Sequence, residues 1–139
     1  MTSQQTQGTV AFVGAGPGSR DCLTLGALRM IEGADVVVHD RLVGPEILAL
    51  IPARARLVPV GKEGFGPSTP QSEINARLVA EARAGARVVR LKSGDGGIFG
   101  RLDEETAALE AAGIDFRVVA GLTSAAAAAA SIGQSLTRR

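Results

Sequence analysis

Short β-branched runs alternate with longer helical stretches along nearly the whole of this chain, and that alternation leaves few folds open to it. Strands are expected at residues 10–13, 36–39, 56–60, 88–91 and 116–119. Between them the apolar spacing lengthens to that of helices. Residues 23–32 place Leu25, Leu28 and Ile31 on one face and stop at Gly33, and a short helix covers 45–50. Thr69 and Pro70 offer a capping hydroxyl followed by proline at the first helical position. The helix they open carries Ile74, Leu78 and Ala82 as its buried stripe through Ala84, with Gly85 ending it. Residues 103–112, closed by Gly113, and Ser124 to about Ser131 are the last helices. Strand and helix repeated with short connections predict an α/β fold, a five-stranded and mainly parallel sheet flanked by helices.

Ligands of such sheets gather at the carboxyl ends of the strands. The glycine-rich segments 14–18, 61–66, 92–100 and Gly121 all fall at such ends and are expected to line one edge. The richest is Lys92-Ser-Gly-Asp-Gly-Gly-Ile-Phe-Gly-Arg101, where backbone can approach a ligand closely and Asp95 and Arg101 place one charge of each sign beside it. The six alanines at 125–130 read as a tightly packed helix. The chain stops soon after, which reads as the end of one domain within a longer protein.

Composition narrows the function classes. At 139 residues the chain is one domain with room for a core. It has four Phe and neither Trp nor Tyr, which argues against a base-stacking surface for single-stranded nucleic acid. A net charge of +1 gives no bulk pull toward nucleic acid or membrane. A single cysteine, Cys22, excludes a disulfide framework or a cysteine-built zinc site, and His39 as the sole histidine argues against a histidine triad or metal cluster. Residues 1–8 are polar and lack the apolar core of a signal peptide, and no run reaches the ~18 apolar residues of a membrane span. A cytoplasmic protein without a bound metal is expected.

Gly14-Ala-Gly-Pro-Gly18 after the first strand invites comparison with the dinucleotide fingerprint, with Asp40 as the ribose-binding acid. Ser19 stands where the third glycine belongs, and Pro17 removes one backbone N–H from a phosphate cradle. A nicotinamide-dinucleotide domain therefore remains only an alternative. A P-loop is excluded, because the glycine five residues before Gly61-Lys62 is missing and Glu63 replaces the required hydroxyl. Asp40-Arg-Leu-Val43 sets a carboxylate beside a guanidinium at a strand end, and Lys62 stands at the next. On spacing alone Asp40 could equally cap the following turn, and Lys62 could be a solvated charge.

Read together and in order, these segments resemble the tetrapyrrole methylases. The pattern runs through Gly14-Ala-Gly-Pro-Gly18, Leu23-Thr-Leu25, Ala34-Asp-Val-Val37, Asp40-Arg-Leu-Val43, Val60-Gly-Lys62, Glu73-Ile-Asn75, Val89-Arg-Leu-Lys92, Gly94-Asp95, Ile98-Phe-Gly-Arg101, Glu104-Glu105 and the Gly121 to Ser124 turn. No single motif is decisive, but the set is specific and covers about residues 9–139. It is most similar to the uroporphyrinogen-III C-methyltransferase branch in its siroheme-synthase form.

The resemblance implies a bilobal enzyme. It would transfer methyl groups from S-adenosyl-L-methionine to two pyrrole carbons of uroporphyrinogen III, giving precorrin-2 for siroheme or cobalamin and releasing S-adenosyl-L-homocysteine. Residues 9–139 would be its N-terminal lobe, with 1–8 a disordered tail, the C-terminal lobe absent, and a homodimer the assembly. Cofactor positions carry over to Pro17, Ser93, Gly94, Asp95, Ile98, Thr123 and Ser124. The proton acceptor carries over to Asp40 and the proton donor to Lys62, while Arg101 and Glu104 match residues near the tetrapyrrole. The residue types suit the chemistry: alignment of a preactivated methyl group, a base for the departing proton, and cations (Arg41, Lys62, Arg101, Arg138, Arg139) for the substrate's acid arms.

The sequence departs from the family pattern in places. Ser93-Gly-Asp-Gly96 replaces Gly-Gly-Asp-Pro, and losing the proline leaves the loop less preordered. Leu102-Asp103 replaces a common Gly-Gly, Ala120 a frequent proline, and Arg138 a frequent histidine. A lobe of this kind is expected to be a poor catalyst alone, and a non-catalytic isolated lobe is the other alternative.

Overall fold

The computed structural model describes residues 6–61 and 66–139. In chain order the elements are β1 (Thr9–Gly14), a 3₁₀ turn (Arg20–Cys22), α1 (Leu25–Glu32), β2 (Val36–Asp40), α2 (Pro45–Leu48), β3 (Arg56–Val60), α3 (Gln71–Arg83), β4 (Arg87–Lys92), α4 (Leu102–Ala111), β5 (Phe116–Val119) and α5 (Ser124–Ser131). The strands form one sheet in the order β3-β2-β4-β1-β5, and every pairing is parallel. A dinucleotide-binding sheet keeps its first two strands adjacent. Here β4 lies between them, so the glycine turn after β1 faces the end of β4.

Alternate residues of each strand supply opposite faces, as the pleat requires. Val10 and Phe12 of β1, Val36 and Val38 of β2, and Val88 of β4 pack with Ile74, Leu78 and Ala82 of α3 and Leu109 of α4. Ala11, Val13, Val37, Val89 and Leu91 turn the other way, onto Ala27 and Ile31 of α1 and Ile47 of α2. Phe12 is 1% exposed and meets Phe116 edge to face, with ring centroids 5.8 Å apart. Burying one such ring contributes about 1.5–3 kcal/mol.

The expected architecture holds, and three local expectations do not. Helix α1 starts at Leu25 because Thr24 is its cap, accepting from Ala27 N at 3.0 Å, while the residues before it form the 3₁₀ turn. Its buried pair is Ala27 and Ile31, and Leu25 is exposed. At α3 the Thr69 hydroxyl accepts from Gly61 N at 3.3 Å, and Pro70 occupies the cap position without a side-chain bond. The alanines of α5 are not packed away: none of that helix is buried. In the segment before β1, Gly8 N donates to Ala82 O at 2.7 Å. No helix is long and apolar enough to cross a membrane among the described residues.

Candidate functional site

Three strand ends meet on backbone alone. Past β1, Ala15 N donates to Lys92 O at 2.7 Å and Gly16 N to Gly94 O at 3.1 Å, while Gly94 N returns a bond to Gly16 O at 2.8 Å. Gly121, just past β5, closes the cluster. A Cβ there would lie 2.2 Å from Gly94 O and 2.7 Å from Gly14 Cα, and one on Gly14 would lie 2.6 Å from Gly121 Cα. Gly16 and Gly94 also hold φ of 70° and 66°. Glycine alone permits both the approach and the backbone turn.

The residues expected to bind a cofactor surround this cluster. Asp95 ties it together: Oδ1 accepts from Gly121 N at 2.8 Å and Oδ2 from Gly97 N at 3.2 Å. Thr123 caps α5, accepting from Ala126 N at 3.1 Å, and Ser124 Oγ would stand 3.8 Å from a Cβ on Gly94. Ser93 is half-buried, whereas Pro17 and Ile98 are exposed along the rim. Phe99 and Arg101 lie in the left-handed region at φ 55° and 52°, and Phe99 is fully exposed. An open hollow of about 600 Å³, lined by Phe99, Arg101 and Thr106 among others, borders the loop. Arg101 grips Glu104 through two bonds of 2.8 Å at the surface, which holds the Glu104 carboxyl below its ordinary range and the guanidinium above its own.

Asp40 ends β2 on the face that carries Val36 and Val38, and its side chain is 34% exposed. It does not cap the following turn. Its Oδ1 accepts from Arg90 Nη2 at 2.8 Å. Arg90 is buried in mid-strand and sends Nε to Glu105 Oε1 at 3.0 Å. Two residues along the same face of β4, Lys92 Nζ lies 2.7 Å from Glu105 Oε2 and donates to the Gly100 carbonyl. The Lys92–Glu105 contact is an ion pair whose angle falls outside hydrogen-bond geometry. Gln71 of α3 adds an amide bond to Glu105 Oε1 at 3.3 Å. Burial, and then Arg90, push the Lys92 ammonium below its usual range, against the pull of Glu105 and Asp40.

Strand pleat and helix period explain this assembly. Val88, Arg90 and Lys92 alternate onto one face of β4, and Glu105 and Leu109 share the inward face of α4 one turn apart. Local spacing marks neither Arg90, Lys92 nor Glu105 as a site residue; the available signal is an arginine in the middle of an apolar strand. His39 is a satisfied strand-end side chain, with Nδ1 3.1 Å from Asp40 O. Lys62 lies outside the described residues. A second hollow, about 390 Å³ between α1 and β5, lies at the amino ends of the strands, away from these groups. A parallel sheet offers ligands its carboxyl edge, so the chemistry is assigned there.

Comparison with known proteins identifies the family. The family model for tetrapyrrole (corrin/porphyrin) methylases matches residues 9–139. A siroheme synthase of Methylococcus capsulatus is 56% identical over 132 residues, covering 95% of this chain and 28% of that protein. The crystal structure of a uroporphyrin-III C-methyltransferase from Thermus thermophilus superposes with a TM-score of 0.85 at 52% identity, covering 96% of this chain and 56% of that one. Another structure under that enzyme's name, complexed with S-adenosyl homocysteine, gives 0.79 at 45% identity, covering 95% and 54%. The chain thus spans just over half of these methyltransferases and less than a third of the siroheme synthase. Fold and sequence agree, and the chain belongs to the tetrapyrrole methylase family.

Proposed function

We propose that this chain is the N-terminal lobe of an S-adenosyl-L-methionine-dependent C-methyltransferase that converts uroporphyrinogen III to precorrin-2. The observation that carries the reading is the partly exposed Asp40 carboxylate, held by Arg90 on the same sheet edge as the glycine cluster. Similarity to the uroporphyrin-III C-methyltransferases and siroheme synthases supports the substrate class.

The strand ends suit the cofactor. Backbone at Gly14, Gly94 and Gly121 is so close that no side chain intrudes, while a Cβ on Gly94 would meet only Ser124, at 3.8 Å or more. Ser93, Gly94 and Asp95 with Ile98 would hold one side of the ligand, and Pro17, Thr123 and Ser124 the other. When bound, S-adenosyl-L-methionine supplies a methyl group already activated for transfer.

The chain's own residues then supply alignment and proton handling. Once the accepting pyrrole carbon has gained the methyl group, the ring system must lose a proton, and Asp40 is the base that takes it. Arg90, bonded to Oδ1, fixes the carboxylate's direction. Lys62 returns a proton to the tetrapyrrole. Arg101, with Glu104 steering it, meets one acid arm of the substrate.

The test supplies isotopically labelled S-adenosyl-L-methionine and uroporphyrinogen III to the full-length protein containing this chain. Label in a dimethylated product supports the reading; label accepted only by a later precorrin moves it to another branch of the family. A second reading, a lobe that folds without turning substrate over, is favoured by α5, which has no buried residue. Calorimetry of residues 1–139 with S-adenosylhomocysteine separates the two.

A further inference from the structure

We propose that Glu105 is a positioning residue that sets two parts of the site from inside the fold, aiming Asp40 through Arg90 and fixing the 93–101 loop through Lys92. This rests on the reading above, in which Asp40 is the proton acceptor.

Glu105 has no exposure. Each of its oxygens serves a different arm. Oε1 takes Arg90 Nε at 3.0 Å, and the far end of the same guanidinium, Nη2, reaches Asp40 Oδ1 at 2.8 Å. The guanidinium is a rigid planar fork, so fixing Nε fixes where Nη2 points. Carbonyls of Val38 and Leu91, both 3.5 Å from Nη1, complete its seat. Oε2 takes Lys92 Nζ at 2.7 Å, and that ammonium donates to the carbonyl of Gly100. Gly100 stands between the left-handed residues Phe99 and Arg101, just before α4 begins. The ammonium therefore anchors the far end of a loop whose near end is Ser93-Gly-Asp95.

Two buried cations sharing one buried carboxylate is an arrangement that a packing role does not require, since apolar residues of the same volume would fill the space at lower cost in desolvation. What it provides is a rigid connection between two strand ends. Asp40 lies at the end of β2 and the loop at the end of β4, and these strands are neighbours in the sheet.

The test uses the full-length enzyme and reads kcat with uroporphyrinogen III alongside the Kd for S-adenosylhomocysteine. Glu105→Gln keeps the shape and removes the charge, and is expected to lower kcat at least tenfold and raise Kd at least fivefold. The arms should separate: Arg90→Lys lowers kcat more than it raises Kd, and Lys92→Met raises Kd more than it lowers kcat. Glu105→Asp is expected to recover part of both losses. If Glu105→Gln does not fold, the opposite biases of the two single-arm variants carry the test. Arg90→Lys and Lys92→Met changing kcat and Kd in the same ratio would overturn the proposal, as would Glu105→Gln with both constants within twofold of wild type. Asp40→Ala serves as the control: if it retains turnover, the functional reading fails. Loss in Asp40→Ala with no effect in Glu105→Gln overturns the positioning role alone.

Discussion

Arg90 and Glu105 face each other inside the domain, Nε to Oε1 at 3.0 Å, with side chains 3% and 0% exposed. Lys92, equally deep, shares the same carboxylate. Removing one partner of such a group leaves a buried charge uncompensated, whereas removing all partners does not. Glu105→Ala is therefore expected to lower stability by about 3–5 kcal/mol. Arg90→Met, Lys92→Met and Glu105→Leu combined should recover most of that loss. Urea denaturation midpoints check both; a single variant as stable as wild type would mean that water reaches the cluster.

Gly121→Ala tests the glycine cluster. The added Cβ would sit 2.2 Å from a backbone oxygen, so the strand ends of β1, β4 and β5 must separate. A loss of about 1–3 kcal/mol and a failure to bind S-adenosylhomocysteine are expected. Gly113→Ala is the comparison: its φ is 68° and nothing lies within 4 Å of the new carbon. That change should cost about 1–2 kcal/mol through backbone conformation alone and leave binding intact. Denaturation and calorimetry on both variants make the distinction.

Asp95 accepts from Gly121 N at 2.8 Å, a bond between the ends of β4 and β5. Asp95→Ala strands that amide and should cost about 1–3 kcal/mol. Asp95→Asn keeps a carbonyl acceptor and should cost less. Equal losses in thermal denaturation would indicate that charge, and not the bond, matters.

At the opposite end of the sheet, Asp35 accepts from Arg87 N, Nε and Nη2 at 2.8, 3.2 and 3.1 Å. These bonds, the side-chain ones first, hold the Asp35 carboxyl below its ordinary 3.8. The folded form thus gives up the proton more readily than the unfolded chain. The resulting stabilisation is complete above about pH 4 and is lost as pH falls through the folded value. Asp35→Asn should remove that part of the acid dependence, so its midpoint should approach that of wild type as pH drops toward 2. Urea titrations at pH 6 and pH 2.5 check the convergence; an undiminished gap at low pH contradicts it.

Much of the architecture could be read from residue order, because local pattern encodes it. Strand β3, strand β5 and helix α5 lie at the expected residues, and the Ile74, Leu78, Ala82 stripe is the buried face of α3. The gathering of the glycine turns at 14–18, 92–100 and 121 at one edge follows from parallel topology, while most of the 61–66 segment lies outside the described residues. The insertion of β4 between β1 and β2 could not be read in this way, since crossovers in a parallel sheet leave no mark in local spacing. Thr69 misled because its hydroxyl met Gly61, eight residues away in sequence, before it could cap α3. The alanines of α5 encode a helix but not a neighbour for it. In sequence Arg90 and Lys92 belong to an apolar strand, its following loop and the Val89-Arg-Leu-Lys92 segment of the family pattern, none of which gives them a role. Their meaning depends on Glu105, which only the packing of α4 brings within reach.

The central claim is that Asp40 takes the proton released when a pyrrole carbon is methylated. The direct test is turnover of uroporphyrinogen III by the full-length protein carrying Asp40→Asn, with S-adenosylhomocysteine binding measured on the same sample. Removing a positioned base is expected to lower kcat about 10²–10⁴-fold while cofactor affinity stays within a few-fold of wild type. Precorrin-2 formed at the wild-type rate by that variant would contradict the account.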